Sequence, residues 1–323
     1  MPQIQGNSKK AGIQAVRQRM LDSILVLFAV CMIIYFSFVS PYFLSIRNFM
    51  NILSSVSVVG IIATGMTLVI ITRGIDLSVG SIIALTGCVS ALLIVNYKVP
   101  WPAAILATLM IGVLVGGFNG MLITRFNVVP FIATLGSMNI ISGIAFVLTN
   151  GQAIYVPNPV ISFLGTGRIA SLIPIPAIIM ICLFVLFWWI TRFTVFGRNV
   201  FAVGGNSVAS RLAGIRVKRL TMVLYVLTGV LSAVAGLVMT GLTSTAMPSA
   251  GDGYNLDVIT AVYLGGNSAS GGEGSVWRTF MGILIIGILN NGMALLSVQS
   301  YWQTFFKGCL LIIAVIFDML RRR

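Results

Sequence analysis

The chain has 323 residues, of which 58% are hydrophobic and only 8% are charged, and its mean hydropathy is +1.05. One soluble core cannot bury that much apolar side chain, so the composition excludes an ordinary soluble protein and places the chain in a bilayer. The net charge of +14 does not indicate nucleic-acid binding, because the basic residues are dispersed between apolar runs and form no continuous basic face.

Nine apolar runs are long enough to cross the membrane, since about 20 residues span about 30 Å of hydrocarbon. In chain order they are 21–40, 50–72, 74–96, 101–123, 129–149, 174–191, 220–243, 276–297 and 301–320. The first follows a basic segment, 1–20, and has no small-residue cleavage site after it, which indicates a retained span. A tenth apolar piece, 254–266, would reach only about 20 Å as a helix.

The distribution of charge decides whether that short piece is a crossing, because positively charged loops stay in the cytoplasm. With ten crossings, the basic tail 321–323 and the basic loop 192–219 both lie inside, whereas nine crossings would put the tail outside. The sequence therefore predicts an all-α polytopic membrane protein with about ten transmembrane helices, one of them broken or re-entrant. It predicts a single transmembrane domain, 21–320, with both termini in the cytoplasm.

Two segments share a pattern that favours an inverted repeat. Residues 119–136 and 291–308 both begin with Asn-Gly-Met inside an apolar run and end on glycine at the same interval. In the predicted topology the two segments run in opposite directions, as inverted transporter repeats do.

Ionisable residues are scarce within the spans, and the chain has no histidine. A Ser-His hydrolase or a His-ligated metal site is therefore excluded, and no catalytic or metal-binding residue is predicted. Asp257 lies in the short piece, and we expect Lys307, in the last span, to direct its ammonium group outward to the interface.

The spans offer neutral hydrogen-bonding side chains instead. The members of this set are Thr64, Thr67, Asn119, Thr134, Ser137, Asn139, Asn290 and Asn291. They are suited to line a path for an uncharged, hydroxyl-rich solute; alternatively, they hydrogen-bond to one another or to backbone across helices.

The stretch "ITRGIDLSVGS", 71–81, places Asp76 at the predicted cytoplasmic turn between the second and third spans. Asp76 or Ser78 is positioned to cap the next helix and to complement its dipole.

The loop 192–219 contains signals for a short helix. Asn206 or Ser207 can cap a helix that starts near Val208, and Gly214 can end it after about two turns. Such a helix between glycines is suited either to contact another protein or to lie on anionic lipid.

Four motifs in this order resemble the permease subunit of ribose-type ABC sugar importers. They are "GMTLVIITRGIDLSVGSIIALTG", "PFIATLGSM", "GRNVFAVGGNSVASRLAGIRV" and "VYLGGNSASGGEGSVWRTFMGILIIGILNNGM", and the resemblance extends from about Phe43 onward. It implies that the cytoplasmic loop holds the coupling helix that docks on a separate ATPase. The coupling residues that it implies are Arg198, Gly204, Gly205, Asn206, Ala209, Arg211, Ala213, Gly214 and Ile215. The resemblance also makes the stretch 71–81 a family motif, so a role in a gate or in a partner contact is the alternative to capping for Asp76 and Ser78.

The resemblance implies an importer for a monosaccharide such as ribose, with a periplasmic sugar-binding protein and a second permease copy or paralogue as partners. No glycine-rich stretch of this chain is followed by Lys-Ser or Lys-Thr, so ATP is expected on the partner ATPase and no cofactor on this chain. A stand-alone carrier or facilitator for a neutral solute is the alternative, because it also tolerates a path without ionisable groups.

Overall fold

The computed structural model describes residues 26–320, so the N-terminal segment 1–20, the start of the first predicted span and the tail 321–323 lie outside the described residues. The described chain is almost entirely helical, as predicted. Its helices are α1 Val26–Val39, α2 Ile46–Ile71, α3 Val79–Ala91 with a π-helical extension Leu92–Asn96, α4 Trp101–Thr124, α5 Pro130–Thr149, α6 Pro159–Thr166, α7 Ile175–Phe193, α8 Val195–Gly205, α9 Ser207–Leu212, α10 Val217–Thr243, α11 Tyr254–Leu264, α12 Val276–Leu295 and α13 Ser300–Leu320.

Seven of these helices are long and apolar enough to span a membrane: α2, α3 with its extension, α4, α5, α7, α10 and α12. The chain is therefore a multi-pass membrane protein, while the count of ten crossings stays a prediction. Two short antiparallel pairs complete the elements, β1 Ile154–Tyr155 with β4 Thr245–Ala246, and β2 Arg168–Ile169 with β3 Ile173–Pro174.

Helix α2 lies at the centre of the bundle, and 89% of its most apolar 18-residue segment is buried. Helices α4 and α10 pack closely because small residues meet at their crossing. A Cβ added at Gly112 would lie 2.5 Å from the carbonyl oxygen of Gly229 and 2.9 Å from the Cβ of Ala233. Gly112, Gly116 and Gly120, which recur every four residues along α4, therefore serve helix packing.

The short piece forms a helix that covers only part of a crossing. Between β4 and α11 the chain is non-helical, and there the backbone of Gly251 packs against that of Gly80, near the start of α3. After α11, Gly265 packs on Arg278, near the start of α12. A series of turns followed by an 11-residue helix thus takes the place of one long helix.

The two segments with the shared Asn-Gly-Met pattern have the same local structure, a helix end, a turn and the start of the next helix. They lie at opposite ends of the bundle. Asn119 hydrogen-bonds to Ser78, just beyond the end of α2, whereas Asn291 hydrogen-bonds to Asn48, near the start of α2. That placement is the one an inverted repeat requires, and the repeat itself stays a prediction.

Candidate functional site

The helix predicted in the cytoplasmic loop is α9. The side chain of Asn206 accepts hydrogen bonds from the amides of Val208 and Ala209, both at 3.0 Å, so Asn206 is the cap and Ser207 is the first helical residue. Gly214 follows the helix with φ = +86°, a conformation that favours glycine. The start and stop signals in the sequence therefore located this helix correctly.

Most of the predicted coupling residues lie on the open surface of this loop. Exposed members of the set are Arg198, Gly205, Asn206, Ala209, Arg211, Ala213 and Gly214, whereas Ile215 is half-buried and Gly204 is buried. Two apolar side chains on α9 that were not predicted as site residues, Val208 and Leu212, are 66% and 86% exposed. Their spacing of four residues puts them on one face of the helix, a pattern that could have been read from the sequence.

Arg73 connects this loop to the end of the central helix. Its guanidinium donates from Nε to the Gly204 carbonyl at 2.8 Å and from Nη2 to the Gly205 carbonyl at 2.7 Å. The amide of Gly272 donates to the Ile71 carbonyl at 2.8 Å. The end of α2 and the residue Arg73 just beyond it therefore contact the glycine-rich turn between α11 and α12 and the residues just before α9, respectively.

Asp76 has a different environment from the one predicted, because its side chain is fully buried. Its Oδ1 accepts hydrogen bonds from the amide of Ser78 at 2.9 Å and from the Ser78 hydroxyl at 2.6 Å, and Asn119 donates to that hydroxyl at 2.8 Å. Ser78 occupies the N-cap position of α3 but makes no side-chain capping bond. Asp76 therefore holds the turn that enters α3 rather than capping the helix at an open membrane edge.

Burial raises the pKa of the Asp76 carboxyl to about 6, and the two hydrogen bonds from Ser78 oppose that rise. Within the described residues, Oδ2 of Asp76 has no hydrogen-bond partner. The linker 72–78 also holds the Ile75 carbonyl, which accepts a hydrogen bond from the hydroxyl of Tyr225 on α10 at 3.2 Å. Asp76 is thus part of a buried polar contact among α3, α4 and the linker.

A cavity of about 500 Å³ lies between α2, α11, α12 and α13. Asn290 is the one predicted path residue among its lining residues, and the amide oxygen of Asn290 has no hydrogen-bond partner in the described chain. Asp257 and Lys307 also line the cavity and form an ion pair, with Nζ 2.8 Å from Oδ2. The expectation that Lys307 points outward to the interface was therefore wrong, because α11 supplies a carboxylate beside it.

The remaining predicted path residues hydrogen-bond within the bundle or face outward. Thr64 and Thr134 donate to carbonyls of their own helices, and Thr67 also shares a 2.8 Å hydrogen bond with Thr279. Asn291 forms two reciprocal amide hydrogen bonds with Asn48, at 2.9 and 2.8 Å.

The last two residues predicted to line the path are Ser137 and Asn139. The Ser137 hydroxyl donates to the carbonyl of Thr134 at 3.1 Å. Asn139 is exposed on α5.

Residues 48–315 match the family described as the permease component of branched-chain amino acid transport systems. The ribose import permease protein of Bacillus subtilis is 44% identical over 98% of this chain and 97% of its own length. The D-allose transport system permease protein of Escherichia coli is 36% identical over 90% of this chain and 89% of its own, and the xylose transport system permease protein of Haemophilus influenzae is 32% identical over 92% and 96%. No solved structure matches the chain. Both the family match and the near-complete coverage of these relatives show that the chain belongs to this family of transport-system permeases.

Proposed function

We propose that the chain is the membrane-spanning permease subunit of a bacterial ABC importer and forms the path for a monosaccharide, ribose or a closely related sugar. The observation that carries the proposal is α9. It is a capped helix that exposes Val208 and Leu212, and Arg73, just beyond the end of the central helix, binds the two residues before its cap. Exposed apolar side chains on one face of a helix are typical of a protein-docking surface.

The proposal includes three partners. A separate ATPase binds ATP and docks on α9, and a sugar-binding protein delivers the solute on the opposite face. A second permease copy or paralogue completes the assembly. Both termini lie in the cytoplasm, and this chain itself binds no cofactor.

The identity of the solute class rests on the relatives and on the cavity. The three relatives are named for ribose, D-allose and xylose, all monosaccharides. The family description names branched-chain amino acids, but these relatives match nearly the whole chain and are all named for sugars. The amide and charged groups of the cavity can hydrogen-bond to sugar hydroxyls.

The proposal is tested with the permease reconstituted in liposomes together with its ATPase, with the binding protein and labelled ribose supplied on the opposite side. We expect accumulation that requires both ATP and the binding protein, and no accumulation of labelled leucine. Uptake of equal rate without ATP would contradict the proposal and favour a stand-alone facilitator. Accumulation of leucine but not of ribose would contradict the choice of solute.

A further inference from the structure

We propose that Asp257, Lys307 and Asn290 form a hydroxyl-binding subsite for the sugar inside the permease. This inference rests on the proposed function and adds to it the groups that touch the solute. It begins from an unusual feature, an ion pair between two helices of a membrane bundle, both of whose members border a cavity. Ionisable residues within a membrane protein are expensive and generally mark the route of a solute.

The residues that line the cavity retain hydrogen-bonding capacity beyond the ion pair. Lys307 Nζ contacts Oδ2 of Asp257, while Oδ1 accepts no hydrogen bond from the described residues. An ammonium group has three donors, so Lys307 retains donors beyond the ion pair. Asn290 also lines the cavity, and its amide oxygen is buried without a hydrogen-bond partner in the described chain. These groups together offer acceptors and a donor, which is the combination that a sugar hydroxyl requires.

The side chains of the ion pair are also partly exposed. The side chains of Lys307 and Asp257 are 26% and 18% exposed, so a solute can reach them without any separation of α11 from α13. Beside apolar residues such as Val56, the lining includes five further polar residues, which are Ser55, Asp252, Tyr254, Thr260 and Thr304. Polar groups set beside apolar surface are typical of sites that orient a small molecule.

A purely structural ion pair, which joins α11 to α13, is the competing explanation, and a double substitution separates the two. Replacement of both charges by apolar residues of similar size is commonly neutral for stability, whereas removal of one leaves an uncompensated charge. Asp257→Leu combined with Lys307→Met should therefore preserve thermal stability and ATPase binding. On our proposal it abolishes recognition of the sugar.

Sugar binding is measured directly, so that it does not depend on transport. Thr304 lines the same cavity, and Thr304→Cys is introduced after the four native cysteines are replaced by serine or alanine. The rate of its modification by N-ethylmaleimide is then followed in the assembled transporter. We expect ribose to slow the reaction and leucine to leave it unchanged. With the double substitution, the ribose concentration that gives half-protection should rise about tenfold, the effect of losing hydrogen bonds to charged groups.

The outcomes distinguish this subsite from the proposed function. Protection by ribose that disappears in the stable double variant supports the subsite. Equal protection in the double variant, equal protection by leucine, or no protection at all would overturn it, even where ATP-dependent ribose uptake is normal. Protection without ATP-dependent uptake would support the subsite and contradict the importer.

Discussion

Gly204 and Gly205 are adjacent, yet the structure predicts opposite effects for a side chain at each. A Cβ added at Gly204 would press on the carbonyl oxygen of Ile71 and would lie 2.5 Å from the amide nitrogen of Gly272. A Cβ added at Gly205 would meet no atom within 4 Å. Because the contacts at Gly204 are with backbone, no side-chain rotation relieves them.

The magnitude follows from two opposing terms. Overpacking generally costs about 1–3 kcal/mol, and the upper end applies where two backbone segments must move. Alanine in place of glycine returns about 1 kcal/mol of helix propensity. We therefore expect Gly204→Ala to lower the free energy of unfolding by about 2 kcal/mol, and Gly205→Ala to leave it unchanged or raise it by less than about 1 kcal/mol.

The assay compares thermal unfolding of the purified permease variants, followed by co-purification with the ATPase. Gly204→Ala should lower Tm by several degrees relative to Gly205→Ala. Gly205→Trp should retain the wild-type Tm and lose ATPase binding at least about tenfold, because a large side chain then projects from the docking surface. Equal Tm values for the two alanine variants would refute the packing argument. Normal ATPase binding by Gly205→Trp would refute the assignment of this loop as the docking site.

Three further predictions concern single side chains. Arg73→Lys should reduce ATP-dependent uptake several-fold while the ATPase still binds, because an ammonium group cannot reproduce the two-nitrogen contact with the loop carbonyls; unchanged uptake would contradict the role of that contact. The raised pKa of Asp76 means that the folded state binds the carboxyl proton more tightly than the unfolded state does. The free energy of unfolding should therefore fall as pH rises from about 3.8 to about 6. Asp76→Asn should lack this fall, and Tm measured across that pH range tests the prediction. Asn291→Leu should lower the free energy of unfolding by about 1–2 kcal/mol because it breaks the amide pair with Asn48. Asn290→Leu should instead preserve Tm and reduce sugar uptake. The opposite pattern would contradict the structural role of Asn291 and the solute-binding role of Asn290.

Local signals in the sequence predicted local structure well. The Asn206 cap and the end of α9 at Gly214 depend on neighbours within one or two turns. Such features are set by backbone conformation and side-chain size, which the sequence states directly. They could therefore be predicted before any tertiary contact was known.

Contacts between distant residues could not be predicted in the same way. Lys307 was expected at the interface because the sequence gives a residue's depth in a span but not the direction in which the side chain faces. One signal was present nonetheless, since Asp257 and Lys307 are opposite charges within predicted crossings, and such charges generally pair. Asn291 and Asn290 are neighbours in sequence but face different surroundings, a difference that only helix orientation decides.

The end of α2 explains how movement of α9 can reach the cavity over a short distance. Arg73 binds the carbonyls just before α9, and the neighbouring Ile71 carbonyl binds Gly272, in the turn between α11 and α12. Those two helices, with α2 itself, form three of the four walls of the cavity. Rigid helices joined by hydrogen bonds at one end can transmit a displacement without a long chain of intermediates. A shift of α9 is therefore expected to act first on the arrangement of α2, α11 and α12, the helices that border the proposed sugar-binding side chains.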